Sequence, residues 1–174
     1  MKKTHKMVLS AVLSALSVSA IYLSSFTPLD ITVIALTSLC IILAVIELGG
    51  KYPLLIYVVT SVLTLILLPD KSTALIYVLI VGYYPMLKVV YERYHYIIAW
   101  LLKFSTFNTA MLATIFIVKY VLGIDEAETL TLTLATIALG NVTFILCDLL
   151  LTRLIALYMV KIRPRLGFKN YFEN

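Results

Sequence analysis

Apolar positions in this chain fall into six long blocks, each closed by glycine, proline or a cluster of polar residues. The blocks run over about 7–25, 31–48, 53–69, 73–90, 97–122 and 130–159. Each approaches the ~20 apolar residues that a helix needs to cross a ~30 Å hydrocarbon core. Punctuation supports the boundaries: Gly49-Gly50 closes the second block, and Pro53 and Pro69 bracket the third. The pattern predicts an all-α integral membrane protein, a bundle of six transmembrane helices. Six spans with short turns use nearly all of residues 1–174, which leaves a single domain.

Composition sharpens this picture. The chain is 62% hydrophobic and 13% charged, with mean hydropathy +1.04. Globular chains carry about 25% charged residues, so a soluble domain of this size lacks the polar surface it needs. The lipid bilayer is the expected medium.

Charge sets the orientation. Lys2, Lys3, Lys6, Lys51, Lys88, Arg93, Lys161, Arg163, Arg165 and Lys169 fall at one set of helix ends and connections. The opposite set holds Lys71 together with Asp70, Asp125, Glu126 and Glu128. Basic residues mark the cytoplasmic side, so both termini are expected inside, in a multi-pass protein of the cell membrane. The net charge of +5 therefore speaks to topology, and no nucleic-acid partner is expected. The basic start, the apolar run and Val18-Ser19-Ala20 also have the shape of a secretory leader; the expectation is that this segment stays as the first helix.

Polar residues inside the blocks are the places for chemistry. Asn108 and Asn141 each lie about eleven residues from a helix end, near mid-membrane at ~1.5 Å per residue. Their amides can tie two antiparallel helices together or line a ligand cavity, with Thr109, Thr133, Thr136 and Thr143 extending it. Lys119, near the outer end of the fifth helix, either snorkels or meets a ligand anion. Lys103 and Asp148 are expected to pair in the inner half, because an isolated charge in lipid is costly. Arg153 belongs to the same charged region and can snorkel inward. Glu47 and Lys51, four apart, are expected to form a local pair. Pro85, after Gly82-Tyr83-Tyr84, is expected to kink the fourth helix. Tyr91, Tyr94, Tyr96 and Trp100 read as an aromatic belt at the inner boundary.

Other chemistry finds little support. Cys40 and Cys147 sit in apolar runs without metal-ligand spacing, and His5 and His95 lack carboxylate neighbours. No phosphate-binding loop, zinc motif or nucleophile elbow occurs. A buried nucleophile would have no histidine base. Neither enzyme activity, a metal nor a cofactor is expected.

In the first helix Ala11, Ala15 and Ser19 are spaced four apart and share one face, flanked by Ser10 and Ser14. Small residues permit close helix approach in lipid, either within the bundle or against another subunit. With its size, its six blocks, its short basic N-terminus and Ala11-Val12-Leu13-Ser14-Ala15, the chain resembles the substrate-binding subunits (S-components) of energy-coupling-factor vitamin transporters. That resemblance implies capture of a small molecule, vitamin-like or another micronutrient, from outside. It also implies docking through Ala11 and Ala15 on a coupling transmembrane subunit driven by cytoplasmic ATPases. On this reading Asn108, Asn141 and Lys119 are the ligand contacts. A structural or assembly protein of the membrane, or a self-sufficient small channel or transporter, are the alternatives.

Overall fold

The structure, a computed structural model, describes residues 3–27, 30–120 and 130–163. Six helices account for nearly all of them: α1 (Lys3–Ser24), α2 (Asp30–Glu47), α3 (Tyr52–Leu67), α4 (Lys71–Tyr91), α5 (Tyr96–Tyr120) and α6 (130–162). Among the described residues there is no strand.

Tight connections follow from local chemistry. Gly49 and Gly50 adopt φ of 61° and 59°, a left-handed turn that a side chain resists. Pro53 then opens α3 in its first turn, where its missing N–H costs nothing. At the next corner Asp70 caps α4 by accepting from the backbone N–H of Ser72 and Thr73. Its neighbour Lys71 turns back and donates to the carbonyls of Leu65 and Leu68 at the end of α3, both at 2.8 Å. One dipeptide thus satisfies both helix ends.

α2 runs through the middle and touches α1, α3, α4 and α6. α1 lies across α2 and α3 through Ser10, Ser14, Ser17, Val18, Ile21 and Ser24. One apolar core joins Ile21, Ile34, Ile41, Ile56 and Tyr77. A second joins Ile42, Tyr84, Phe144 and Leu151, with Phe107 stacked on Phe144 at 4.4 Å. α5 and α6 sit at the margin and leave Leu101, Leu112, Phe116, Leu139, Leu146 and Leu150 more than half exposed. In water each such side chain would forgo about 1.5–3 kcal/mol of burial.

Four helical stretches are long and apolar enough to cross a membrane: Lys3–Ser24, Lys71–Tyr91, Tyr96–Tyr120 and Ala135–Lys161. The second and third blocks, expected to span, form the shorter apolar helices α2 and α3. α2, with 18 residues, reaches ~27 Å and α3, with 16, only ~24 Å; the extended backbone at Leu68 ends α3 two residues before its block does. The last helix runs past 159, closing in a π-helical turn over Tyr158–Ile162.

α4 breaks ahead of its proline rather than at it. A regular turn over Lys71–Ile76 widens into a π-helical turn over Tyr77–Val81, and a fresh helix starts at Tyr84. Pro85 therefore occupies a first-turn position and removes no internal hydrogen bond. At Gly82 an added Cβ would come within 2.8 Å of the Tyr57 ring and 2.9 Å of the Tyr77 carbonyl oxygen. Tyr57 fills that notch and its hydroxyl donates to the Val78 carbonyl at 2.9 Å.

Candidate functional site

The buried charge of this protein gathers where α4, α5 and α6 meet. Tyr84, Lys88 and Glu92 recur every four residues along one face of α4. Asp148 and Thr152 recur likewise on α6. Asp148 is the hub. Its Oδ1 accepts from the Tyr84 hydroxyl and the Lys88 ammonium, and its Oδ2 accepts from Lys103 Nζ at 2.9 Å. Lys88 also donates to Thr152 Oγ1 at 2.9 Å. Glu92 closes the group from the rim, with Oε1 3.0 Å from Lys88 Nζ and 3.5 Å from Lys103 Nζ. Lys103 further lies over the Trp100 ring, 5.3 Å from its centre.

Burial is nearly complete for three of these charges. The side chains of Lys88, Lys103 and Asp148 are 1%, 6% and 3% exposed, against 45% for Glu92. Removing such ions from water costs several kcal/mol each, which their mutual pairing offsets. The group locks three helices together.

Sequence reasoning placed Lys103 with Asp148 and left out Lys88, which it read as a basic residue of the inner connection. The structure buries Lys88 instead. The four-residue spacing of Tyr84, Lys88 and Glu92 was the available signal. Arg153, expected near this pair, is exposed and makes no ion pair among the described residues. Five residues beyond Asp148, it lies ~140° around the helix at ~100° per residue.

Asn108 and Asn141 meet as a closed pair. Each side-chain amide donates to the other's carbonyl at 3.0 Å, and each spends its second N–H on its own helix, at Phe104 and Ile137. Both amide donors and both side-chain carbonyls are thus in use. Gly140 beside them admits Met111, whose methyl carbon an added Cβ would meet at 2.9 Å. A ligand contacting these amides would have to displace the pair.

The other positions are dispersed. Lys119 is exposed, 5.9 Å from the centre of the Tyr120 ring. Ala11, Ala15 and Ser19 face outward, while Ser10, Ser14 and Ser17 of the same helix are buried. Ser10 and Ser17 satisfy their hydroxyls on the Lys6 and Leu13 carbonyls. Thr143 bonds to the Leu139 carbonyl, and the side chain of Thr133 lies outside the described residues. Thr109 lines an open groove of about 370 Å³ between α4 and α5, together with Leu79, Tyr83, Ser105 and Thr106.

Glu47 does not pair with Lys51. It is buried at the end of α2, where one oxygen accepts from the Tyr158 hydroxyl at 3.0 Å and lies 3.3 Å from Arg163 Nε. The start of α1 joins the same end: Lys6 Nζ donates to the Leu48 carbonyl at 2.9 Å. Lys6, Glu47 and Arg163, far apart in the chain, thus tie α1, α2 and α6 together at one end.

Comparison with protein-family profiles, curated proteins and solved structures gave no match.

Proposed function

We propose that the chain is a protein of the cell membrane that crosses six times with both ends cytoplasmic, and that it is a solute-binding subunit for uptake, in the manner of an S-component. Its exposed leucines, its few charges and the pairing of those it buries support the membrane setting. α2 and α3 span by drawing the bilayer thinner around them, at a fraction of a kcal/mol per Å of mismatch.

The observation that carries the docking role is the division of small residues on α1. Ser10, Ser14 and Ser17 serve the bundle, and Ala11 and Ala15 remain outside it as a low ridge. A coupling transmembrane subunit, itself driven by cytoplasmic ATPases, packs closely on that ridge. The solute, a small vitamin-like molecule, sits in the groove between α4 and α5. Ser105 and Thr109 offer hydroxyls there and Tyr83 a ring. Lys119 remains an outer contact for an anionic solute.

Cross-linking through cysteine introduced at Ala15 tests this, using protein expressed with its membrane partners. Capture of a membrane subunit, lost in Ala11→Trp with the fold retained, is the expected result. Absence of any captured membrane protein would overturn the docking role. Native mass spectrometry of the purified chain reads the solute, whose retention should weaken in Thr109→Val.

A second reading, a structural or assembly protein of the membrane, draws support from the saturation of the amides and charges by one another. It requires a captured membrane partner and no retained solute.

A further inference from the structure

The charges around Asp148 do not balance inside the protein. Two buried ammonium groups, Lys88 and Lys103, face one buried carboxylate. Among the described residues the excess positive charge is met at the rim, by Glu92. Glu92 touches both lysines through Oε1 alone, at 3.0 and 3.5 Å, and is nearly half exposed. It also caps the C-terminal end of α4, its N–H bonded to the Lys88 carbonyl. A carboxylate at that end opposes the helix dipole, so the two lysines are what hold it there. Exposed Arg93 follows it in the chain, and exposed Tyr94 and Tyr96 with half-buried Trp100 stand at the same helix ends.

We infer that Lys88 and Lys103 form an anion site for a phosphate-bearing group, and that Glu92 is its built-in competitor. A phosphate presents several oxygens to two ammonium groups, where Glu92 presents one. Lysines buried side by side gain more from such an anion than exposed ones, because little water screens the contact. Two sources supply this chemistry at a membrane surface: the headgroup of an anionic phospholipid, or free phosphate and its monoesters. The membrane setting matters only for choosing between them.

Two arms separate the sources. In neutral detergent, inorganic phosphate is titrated at constant ionic strength into wild type, Glu92→Gln and Glu92→Gln with Lys103→Met, with calorimetry and thermal unfolding as readouts. Removing the competitor should tighten phosphate binding about tenfold, and Lys103→Met should abolish that gain. In nanodiscs, native mass spectrometry compares retained phosphatidylglycerol with retained phosphatidylcholine. Preferential retention of the anionic lipid by Glu92→Gln, without a phosphate response in detergent, identifies the headgroup as the source. Equal behaviour of Glu92→Gln and wild type in both arms overturns the inference. Should Glu92→Gln fail to fold, Glu92→Asp withdraws the carboxylate by one methylene; an affinity no better than wild type in both arms overturns it equally. The detergent arm needs neither orientation nor a docking partner, so its failure leaves the uptake reading untouched.

Discussion

Lys88 and Asp148 stand sixty residues apart in the chain and meet as a buried ion pair, with the Tyr84 hydroxyl on the same carboxylate oxygen. Lys103 holds the other oxygen. Breaking such a group is far costlier than never having built it, because the remaining charges stay buried.

Asp148→Asn should therefore lower thermal stability in detergent by about 3–5 kcal/mol, and lower the yield of folded protein. Lys103→Met should cost less, since Lys88 still neutralises the carboxylate. The double variant should be milder than the sum of the two. Wild-type unfolding temperatures in both single variants would remove the network from the account of the fold.

The Asn108–Asn141 pair makes a different prediction. Asn108→Leu alone leaves Asn141 unpartnered across the helices and should cost roughly 0.5–2 kcal/mol. Replacing both by Leu should recover part of that loss. A double variant as unstable as the sum of the singles would mean that the amides do not interact, as read by thermal unfolding of all three.

Gly82 and Tyr57 should be coupled. Gly82→Ala drives a methyl into the Tyr57 ring at 2.8 Å and should cost about 1–3 kcal/mol as an overpacked site. In a Tyr57→Ala background the ring's share of that cost should disappear, while the share from the Tyr77 carbonyl oxygen, 2.9 Å from the same Cβ, remains. Equal costs in the two backgrounds, measured by denaturation, would disprove the contact.

Asp70 gives a pH dependence at the turn between α3 and α4. Its partial burial raises the carboxyl pKa, but hydrogen bonds from Thr73 and Ser72 outweigh that and hold it below the ordinary value. A lowered folded pKa means that the ionised cap stabilises the fold above the unfolded value of about 3.9. That contribution disappears as pH falls through the lowered folded value. Asp70→Ala should cost about 1 kcal/mol at neutral pH, and the gap to wild type should narrow in strong acid. A gap independent of pH would show that the charge plays no part.

Helix number and the kind of surface were legible because they depend on local composition. Blocks of apolar residues between Gly49-Gly50, Pro53, Pro69 and the polar turns mark where helices start and stop to within a few residues. The end of α3 was less legible, because the extended backbone at Leu68 closes the helix two residues ahead of Pro69. Asn108 facing Asn141 was legible too: two amides at matching depth on consecutive antiparallel helices have few other neighbours.

Lys88 was hidden by helix phase. A π-helical turn at Tyr77–Val81 adds a residue to the turn, and the restart at Tyr84 sets a new angular origin for the residues after it. Periodicity read from the upstream block therefore could not say which way Lys88 points. Glu47 was hidden by distance: its partners, Tyr158 and Arg163, come from the far end of the chain, whereas Lys51 was the charge in view.

The sequence alone determined that this chain makes apolar helices, roughly where each begins, and that its basic residues favour one set of ends. Those properties are sums over neighbouring residues. Only the tertiary structure decided which charges are buried and with whom, why Arg153 is excluded and Lys88 included, and that Ala11 and Ala15 face away from the bundle. Each of these depends on the rotation of one helix against another, set by a few contacts such as Tyr57 against Gly82, and no window along the chain contains both partners.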